Sequence, residues 1–237
     1  MMMKDRTSII ARTSMFTAIL VATIKLIPGI PIIGLRAAKI QVGVILCPLI
    51  GMLLPSAYEA LLVGVLASII LDMLNGFRID VVMFNPALIS NVLISNLVFR
   101  GRRKVMLAIL ASTLFLWYFL RPIGFRLWFI PIPFATASII SIILTWTLRG
   151  GKYMRCVLAN ISGILGDHLA GCIMFNYLSK PVFGIKPSDL IHIYYVALPL
   201  TVIERTLMIA GGVLLSLGVL KALPRRILRY LKIKEGK

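Results

Sequence analysis

Apolar runs of helical length, separated by short basic or proline-containing segments, fill almost the whole sequence and constrain its fold more than any other feature. Of the 237 residues, 59% are hydrophobic and only 14% are charged, whereas about a quarter of the residues in a soluble domain are charged. A helix needs about 20 mainly apolar residues to cross a bilayer, and the alternating segments of a membrane β-barrel do not occur in the sequence. The sequence therefore predicts an all-α, polytopic membrane helix bundle that forms a single transmembrane domain over residues 1–237. The apolar runs cover residues 8–27, 40–54, 57–74, 86–99, 105–120, 134–148, 156–178 and 196–220.

The basic residues indicate how such a bundle lies in a membrane, because Lys and Arg accumulate in cytoplasmic segments. If the N-terminus is inside, most of the 26 Lys and Arg residues fall in inner segments, chiefly at 100–104, at 149–155 and in a tail at 221–237. This asymmetry predicts that both termini are cytoplasmic, that the tail is a basic cytoplasmic segment and that the number of spans is even. Six to eight transmembrane helices fit, because the runs at 86–99 and 105–120 are short. We expect a multi-pass protein of the cell membrane.

The composition also limits the partners and cofactors. The net charge of +18 is explained by topology signals and contacts with membrane lipid, so we predict no nucleic-acid partner. The cysteines, Cys47, Cys156 and Cys172, lack a metal-binding spacing, and the only histidines are His168 and His192. No glycine-rich phosphate loop occurs. The sequence therefore predicts no metal, no cofactor and no ATPase activity of its own.

An acid beside a histidine in the middle of the seventh apolar run is the most unusual local feature. Asp167 and His168 lie within the apolar stretch 162–175. A charge at that depth costs about 2.5–3.5 kcal/mol on insertion scales, so it needs a partner, a wet cavity or a neutral state. Other polar residues occupy the outer ends or outer halves of their spans. These residues are Lys25, Gln41, Asp72, Asn75, Asn176, Glu204 and Arg205. Asn96 and Asn160 are the main exceptions, because they lie in the inner halves.

The depth of these residues predicts a pocket that opens outward and is closed on the inside. Asp167, Glu204 and Arg205 are too deep to reach the interface, whereas Lys25, Gln41 and Asp72 are expected to extend to it. Because Glu204 and Arg205 are about 100° apart on a helix, we expect them to face different neighbours. Arg205 is expected to pair with Asp167 or Asp72. A helical spacing predicts one shared face for Asn160, Gly163, Asp167, Gly171 and Met174.

Small residues and prolines carry a resemblance to a known family. Ala18 and Ala22 form a small-xxx-small face, and Pro28-Gly29-Ile30-Pro31 follows. Together with the segments at 46–55, 60–68 and 198–223, this pattern resembles the substrate-binding S components of energy-coupling factor (ECF) transporters. The resemblance covers roughly residues 10–75 and 195–223, and family members usually have six helices.

The resemblance implies a non-enzymatic subunit that binds a small, vitamin-like micronutrient in an outward-facing pocket. Such a subunit docks on a transmembrane coupling protein driven by two cytoplasmic ATPases, and Ala18 and Ala22 would carry the docking surface. Trp117 and Tyr177 could instead be interfacial aromatic residues. The candidate binding residues are Asn91, Trp117, Asp167, Asn176, Tyr177, Glu204 and Arg205.

Two alternatives stay open. The first is an intramembrane enzyme that uses Asp167 with Asp72 or Glu204 and needs two carboxyl groups within about 6 Å of each other. The Gly-x-Gly-Asp motif of intramembrane aspartyl proteases is incomplete, because Ile164 replaces its first glycine. The second is a non-catalytic membrane scaffold. A cavity that opens outward and touches the seventh and eighth spans favours transport, whereas a solid, dry bundle with Asp167 paired to an arginine counts against it.

Overall fold

The structure, a computed structural model, describes residues 2–27, 29–31, 39–40, 42–119, 123–147, 151–224, 226–227 and 231. Apart from an antiparallel ladder of two short strands, the regular elements in these ranges are helices. In order, they are α1 (Met2–Leu26), β1 (Ile30–Pro31), β2 (Lys39–Ile40), the 3-10 helix η1 (Val42–Ile45), α2 (Leu46–Leu53), α3 (Ala57–Leu74), α4 (Ile79–Val82), α5 (Asn85–Phe99), α6 (Arg103–Phe119), α7 (Ile123–Arg126), α8 (Ile132–Thr147), α9 (Lys152–Phe183) and α10 (Pro187–Ala222).

The structure confirms the all-helical part of the predicted fold class, a helix bundle. Within the described ranges, four helices are long and apolar enough to cross a membrane: Arg6–Leu26 of α1, and α3, α9 and α10. Three shorter apolar helices, Val42–Leu53, Asn85–Phe99 and Ile132–Thr145, pack with them. These lengths are compatible with a membrane protein.

Helix α5 lies in the centre of the bundle, where it packs against α2, α3 and α9. Two glycines allow this close approach. A Cβ atom on Gly51 of α2 would collide with the backbone oxygen of Val92, and one on Gly163 of α9 would collide with Oγ of Ser95. Ser95 then donates a hydrogen bond from Oγ to the carbonyl of Ala159 at 3.1 Å. The backbone of α2 therefore meets that of α5 directly at Gly51, and only small side chains of α5 fit against Gly163 of α9.

Polar side chains fix the turn between α2 and α3. Asn96 of α5 donates from Nδ2 to the carbonyls of Gly51 and Leu54 at 2.8 and 2.7 Å. Arg100 donates from Nη2 to Leu54 at 2.8 Å and also to Leu231 of the tail at 2.9 Å. Asn96, which is fully buried, therefore has a structural role in this turn.

An ion pair ties α1 to the first turn of α3. Arg12 donates from Nε and Nη2 to the two carboxylate oxygens of Glu59, at 2.9 and 3.1 Å. Ser56 caps the helix by accepting a hydrogen bond from the amide of Glu59 at 3.2 Å. This bidentate pair fixes the orientation of α1 against α3.

Asp72 departs from the prediction that it extends to the interface. Its side chain is buried and accepts a hydrogen bond from Nδ2 of Asn85 at 2.5 Å, so it pairs with the start of α5 and not with Arg205. Lys25 is exposed and donates to Oδ1 of Asn75 at 2.6 Å. Gln41 and most of the predicted tail lie outside the described residues.

Candidate functional site

A cavity of about 410 Å³ lies between η1, α5, α9 and α10. Its volume is in the range of small-molecule sites, which are typically 300–1,000 Å³ and mainly apolar with a few placed polar groups. The lining fits that description. It consists of Val44, Phe84, Ala87, Leu88, Asp167, His168, Gly171, Cys172, Phe175, Tyr194, Glu204, Arg205 and Met208.

The cavity extends from the middle of the bundle towards the end at which α5 and α10 begin. Asp167 is near the middle of α9, and Phe175 is two turns closer to the C-terminal end of that helix. Beyond Asp167, towards the opposite end, α9 and α10 close on each other. A Cβ atom on Gly212 would lie only 2.6 Å from Oδ1 of Asn160. The cavity therefore has a floor formed by direct contact between α9 and α10.

Three charged side chains meet at the level of Asp167. Arg205 donates from Nη1 to Oδ2 of Asp167 at 2.7 Å, and its Nη2 lies 3.6 Å from Oε1 of Glu204. The expected pairing of Arg205 with Asp167 is confirmed. The expectation that Glu204 and Arg205 face different neighbours is wrong, because the long side chain of Arg205 spreads its planar guanidinium fork between both carboxylates.

Aromatic residues form a fixed wall of the cavity. Tyr194 donates a hydrogen bond from its hydroxyl to the carbonyl of Cys172 at 3.0 Å. Its ring packs edge-on against Phe175 and Trp117, with centroids 6.2 and 6.4 Å apart. A ring nitrogen of His168 lies 3.6 Å from Sγ of Cys172. These contacts fix one side of the cavity.

The structure separates the predicted binding residues into two groups. Asp167, Glu204 and Arg205 line the cavity. Asn91 is buried between α5 and α9 beside Gly163, and Trp117 lies behind Tyr194. The remaining two also lie outside the lining.

Asn176 and Tyr177 lie on α9 outside the cavity lining. Asn176 is buried, and Tyr177 donates from its hydroxyl to the carbonyl of Leu116 on α6 at 3.2 Å. Both residues follow Cys172 by about one turn of α9, yet neither is among the residues that line the cavity.

The predicted shared face of α9 is split between two neighbours. Gly163 contacts α5, Asn160 contacts α10, and Asp167 and Gly171 border the cavity. The cause is that α9 is packed by α5, α8 and α10 on different sides, so one helical stripe meets more than one neighbour.

Sequence reasoning did not select several lining residues, chiefly Cys172, Phe175 and Tyr194. The available signal was helical spacing from the Asp167-His168 pair, since Cys172 follows His168 by four residues and Phe175 follows it by seven. Tyr194 has no comparable signal, because it joins the cavity through the pairing of α9 with α10.

Chemically, the site combines charged groups at its floor with apolar walls. Among the described residues, no group of three or more His, Cys, Asp or Glu side chains has a geometry that could hold a metal ion. Asp72 does not border the cavity, so it does not face Asp167. The arrangement is suited to holding a small molecule that has both a polar and an apolar part.

The sequence matches no protein-family model, and no curated protein or solved structure is detectably similar to it.

Proposed function

We propose that the protein is the substrate-binding membrane subunit of an ECF-type uptake transporter and captures a small, vitamin-like micronutrient. The observation that carries this proposal is the cavity of about 410 Å³, with the Asp167–Arg205–Glu204 cluster at its floor. An isolated charge inside a membrane is costly, and charged groups at such depth typically mark a solute pathway or binding site. The cluster lies where a solute would reach the closed end of the cavity.

The proposed topology places the mouth of the cavity outside the cell. The eight spans would be α1, the segment formed by η1 and α2, α3, α5, α6, α8, α9 and α10. With a cytoplasmic N-terminus, α5 and α10 start at the outer face and α9 ends there. The cavity is nearest to these three helix ends, so this topology supports access from outside.

The ion pairs favour binding over catalysis. Asp167 accepts a hydrogen bond from Arg205 and shares the guanidinium with Glu204. A pair of carboxylates that exchanges protons in hydrolysis needs a direct or water-bridged approach, whereas here a guanidinium lies between them. The presence of a cavity likewise supports a solute-binding role over that of a scaffold.

The side of α1 that points away from the bundle offers a surface for the proposed coupling protein. Ala11, Ser14, Ala18 and Ala22 are exposed along this face, and Ile19 beside them is 43% exposed. Small residues in such a row allow another membrane helix to approach closely. We propose that the coupling protein contacts this face and that the cytoplasmic ATPases act through that protein.

Docking on this face of α1 predicts that larger side chains there weaken the association with the coupling protein. Ala18→Leu or Ala22→Leu should reduce co-purification with the coupling protein and ATPases by at least about tenfold, because even ~1.4 kcal/mol of lost contact has that effect. Ala108→Leu, at an exposed position of α6, is the matched control and should not alter it. Unchanged co-purification of the Ala18 and Ala22 variants would refute the docking surface.

The outward cavity predicts that Cys172 is reached from outside the cell. In intact cells, a membrane-impermeant cationic methanethiosulfonate should modify Cys172, which borders the cavity, while the fully buried Cys47 and Cys156 stay unmodified. The controls, in a Cys172→Ser background, are Asp189→Cys at the outer end of α10 and Arg103→Cys at the inner end of α6, both exposed positions. Labelling of Cys172 only after permeabilisation, in parallel with Arg103→Cys, would contradict the proposal.

A further inference from the structure

The charges that border the cavity have the opposite sign to the charge of the whole chain. The chain carries +18, yet the charged lining groups are two carboxylates, Asp167 and Glu204, and one guanidinium, Arg205. No Lys and no second Arg is found among the described residues of the lining. With His168 counted as neutral, as in the net charge of the chain, the formal charge of the lining is −1.

The unequal distances from Arg205 show which carboxylate is available to a solute. Asp167 receives a hydrogen bond at 2.7 Å, whereas Oε1 of Glu204 is 3.6 Å from Nη2, beyond hydrogen-bonding distance. Within the described part of the chain, Glu204 accepts no hydrogen bond. A carboxylate in this position retains its capacity to accept bonds from a donor that enters the cavity.

The apolar wall suits a positively charged solute as well. Phe84, Phe175 and Tyr194 border the same space as Glu204. Aromatic rings attract cations through the negative charge on their faces, and the attraction is stronger where water is excluded. Tyr194 is already fixed by its hydrogen bond to the carbonyl of Cys172, so the wall needs little ordering when a solute binds.

We infer that the solute is a small organic cation, with a protonated or quaternary nitrogen held by Glu204 and an apolar or aromatic body against Phe175 and Tyr194. This inference rests on the proposed function, because it assumes that the cavity is a solute site. It specifies the charge of the solute, which the positive charge of the whole chain does not indicate.

Two methanethiosulfonate reagents of opposite charge test this inference at Cys172 in the purified protein. The probes are 2-(trimethylammonium)ethyl methanethiosulfonate and 2-sulfonatoethyl methanethiosulfonate, with rates normalised to those of 2-mercaptoethanol. We expect the cationic reagent to be favoured at Cys172 by on the order of tenfold, because one net negative charge acts nearby in a partly desolvated space. Cys172→Ser identifies the labelled site, since Cys47 and Cys156 are fully buried.

Glu204→Gln should remove most of this preference without disturbing the Asp167–Arg205 bond. Asp189→Asn, which removes a carboxylate from the exposed first turn of the same helix, should leave the preference unchanged. If the ratio of the cationic to the anionic rate at Cys172 is no higher than the same ratio for 2-mercaptoethanol, the inference of a cationic solute is overturned and the proposed function still stands. Failure of both reagents to modify Cys172 before denaturation would overturn the inference and the proposed function together.

Discussion

Replacing Arg205 with leucine should lower the free energy of unfolding by about 3 kcal/mol, because it leaves the carboxylates of Asp167 and Glu204 without their cation. The hydrogen bond to Asp167 is 2.7 Å long, and the Asp167 side chain is only 10% exposed. In Arg205→Leu, the Asp167 carboxylate loses both its hydrogen-bond donor and its nearest opposite charge. Reversible unfolding in mixed detergent micelles measures the change.

A double variant distinguishes the loss of the pair from a general packing defect. Asp167→Leu together with Arg205→Leu removes both charges of the short bond and should recover most of the lost stability, since apolar replacement of a whole buried pair is often neutral. Arg126→Leu, at an exposed position of α7, is the control and should change the stability by less than about 0.5 kcal/mol. Equal stability of wild type and Arg205→Leu would show that the ion pair does not support the fold.

The pairing of Asp167 with Arg205 was predictable because the cost of a charge inside a membrane leaves few ways to satisfy it. The approach of Glu204 to the same guanidinium was not predictable from helix angles. A Cβ direction fixes where a side chain starts, but arginine spans several rotatable bonds and can reach a residue on a different side of the helix.

The short fourth run illustrates how packing decides what length alone does not. Its 14 apolar residues are short for an upright span, yet α5 lies in the centre of the bundle and is among its most buried helices. Asn91, Ser95 and Asn96 on this helix are fully buried, so its polar residues face protein rather than a solute. Which neighbour a polar residue meets depends on the close approaches at Gly51 and Gly163, and the sequence does not indicate which helices these glycines will contact.

The sequence also did not indicate that four predicted residues lie outside the lining. These residues are Asn91, Trp117, Asn176 and Tyr177. Each was selected by its depth or residue type, and depth does not specify rotation about the helix axis. The predicted residues that do line the cavity, Asp167, Glu204 and Arg205, are those for which burial without a partner is most costly.

Filling the cavity should abolish or strongly weaken solute binding while preserving the bundle. A Cβ atom on Gly171 would lie 3.7 Å from the ring of Phe84 and 3.8 Å from Cβ of Ala87, so a side chain starts there without collision and extends into the cavity. Gly171→Leu should weaken binding by about tenfold to hundredfold, because steric overpacking typically costs about 1–3 kcal/mol. Gly218→Leu is the matched control, since no atom lies within 4 Å of a Cβ placed there.

Native mass spectrometry of the protein purified in mild detergent tests the central claim most directly, because it detects a bound solute without knowledge of its identity. We predict one small molecule per wild-type chain, released on denaturation, with the same occupancy in Gly218→Leu and little or none in Gly171→Leu. Absence of a bound molecule from the wild type, or equal occupancy in Gly171→Leu, would contradict the assignment of the cavity as a solute-binding site.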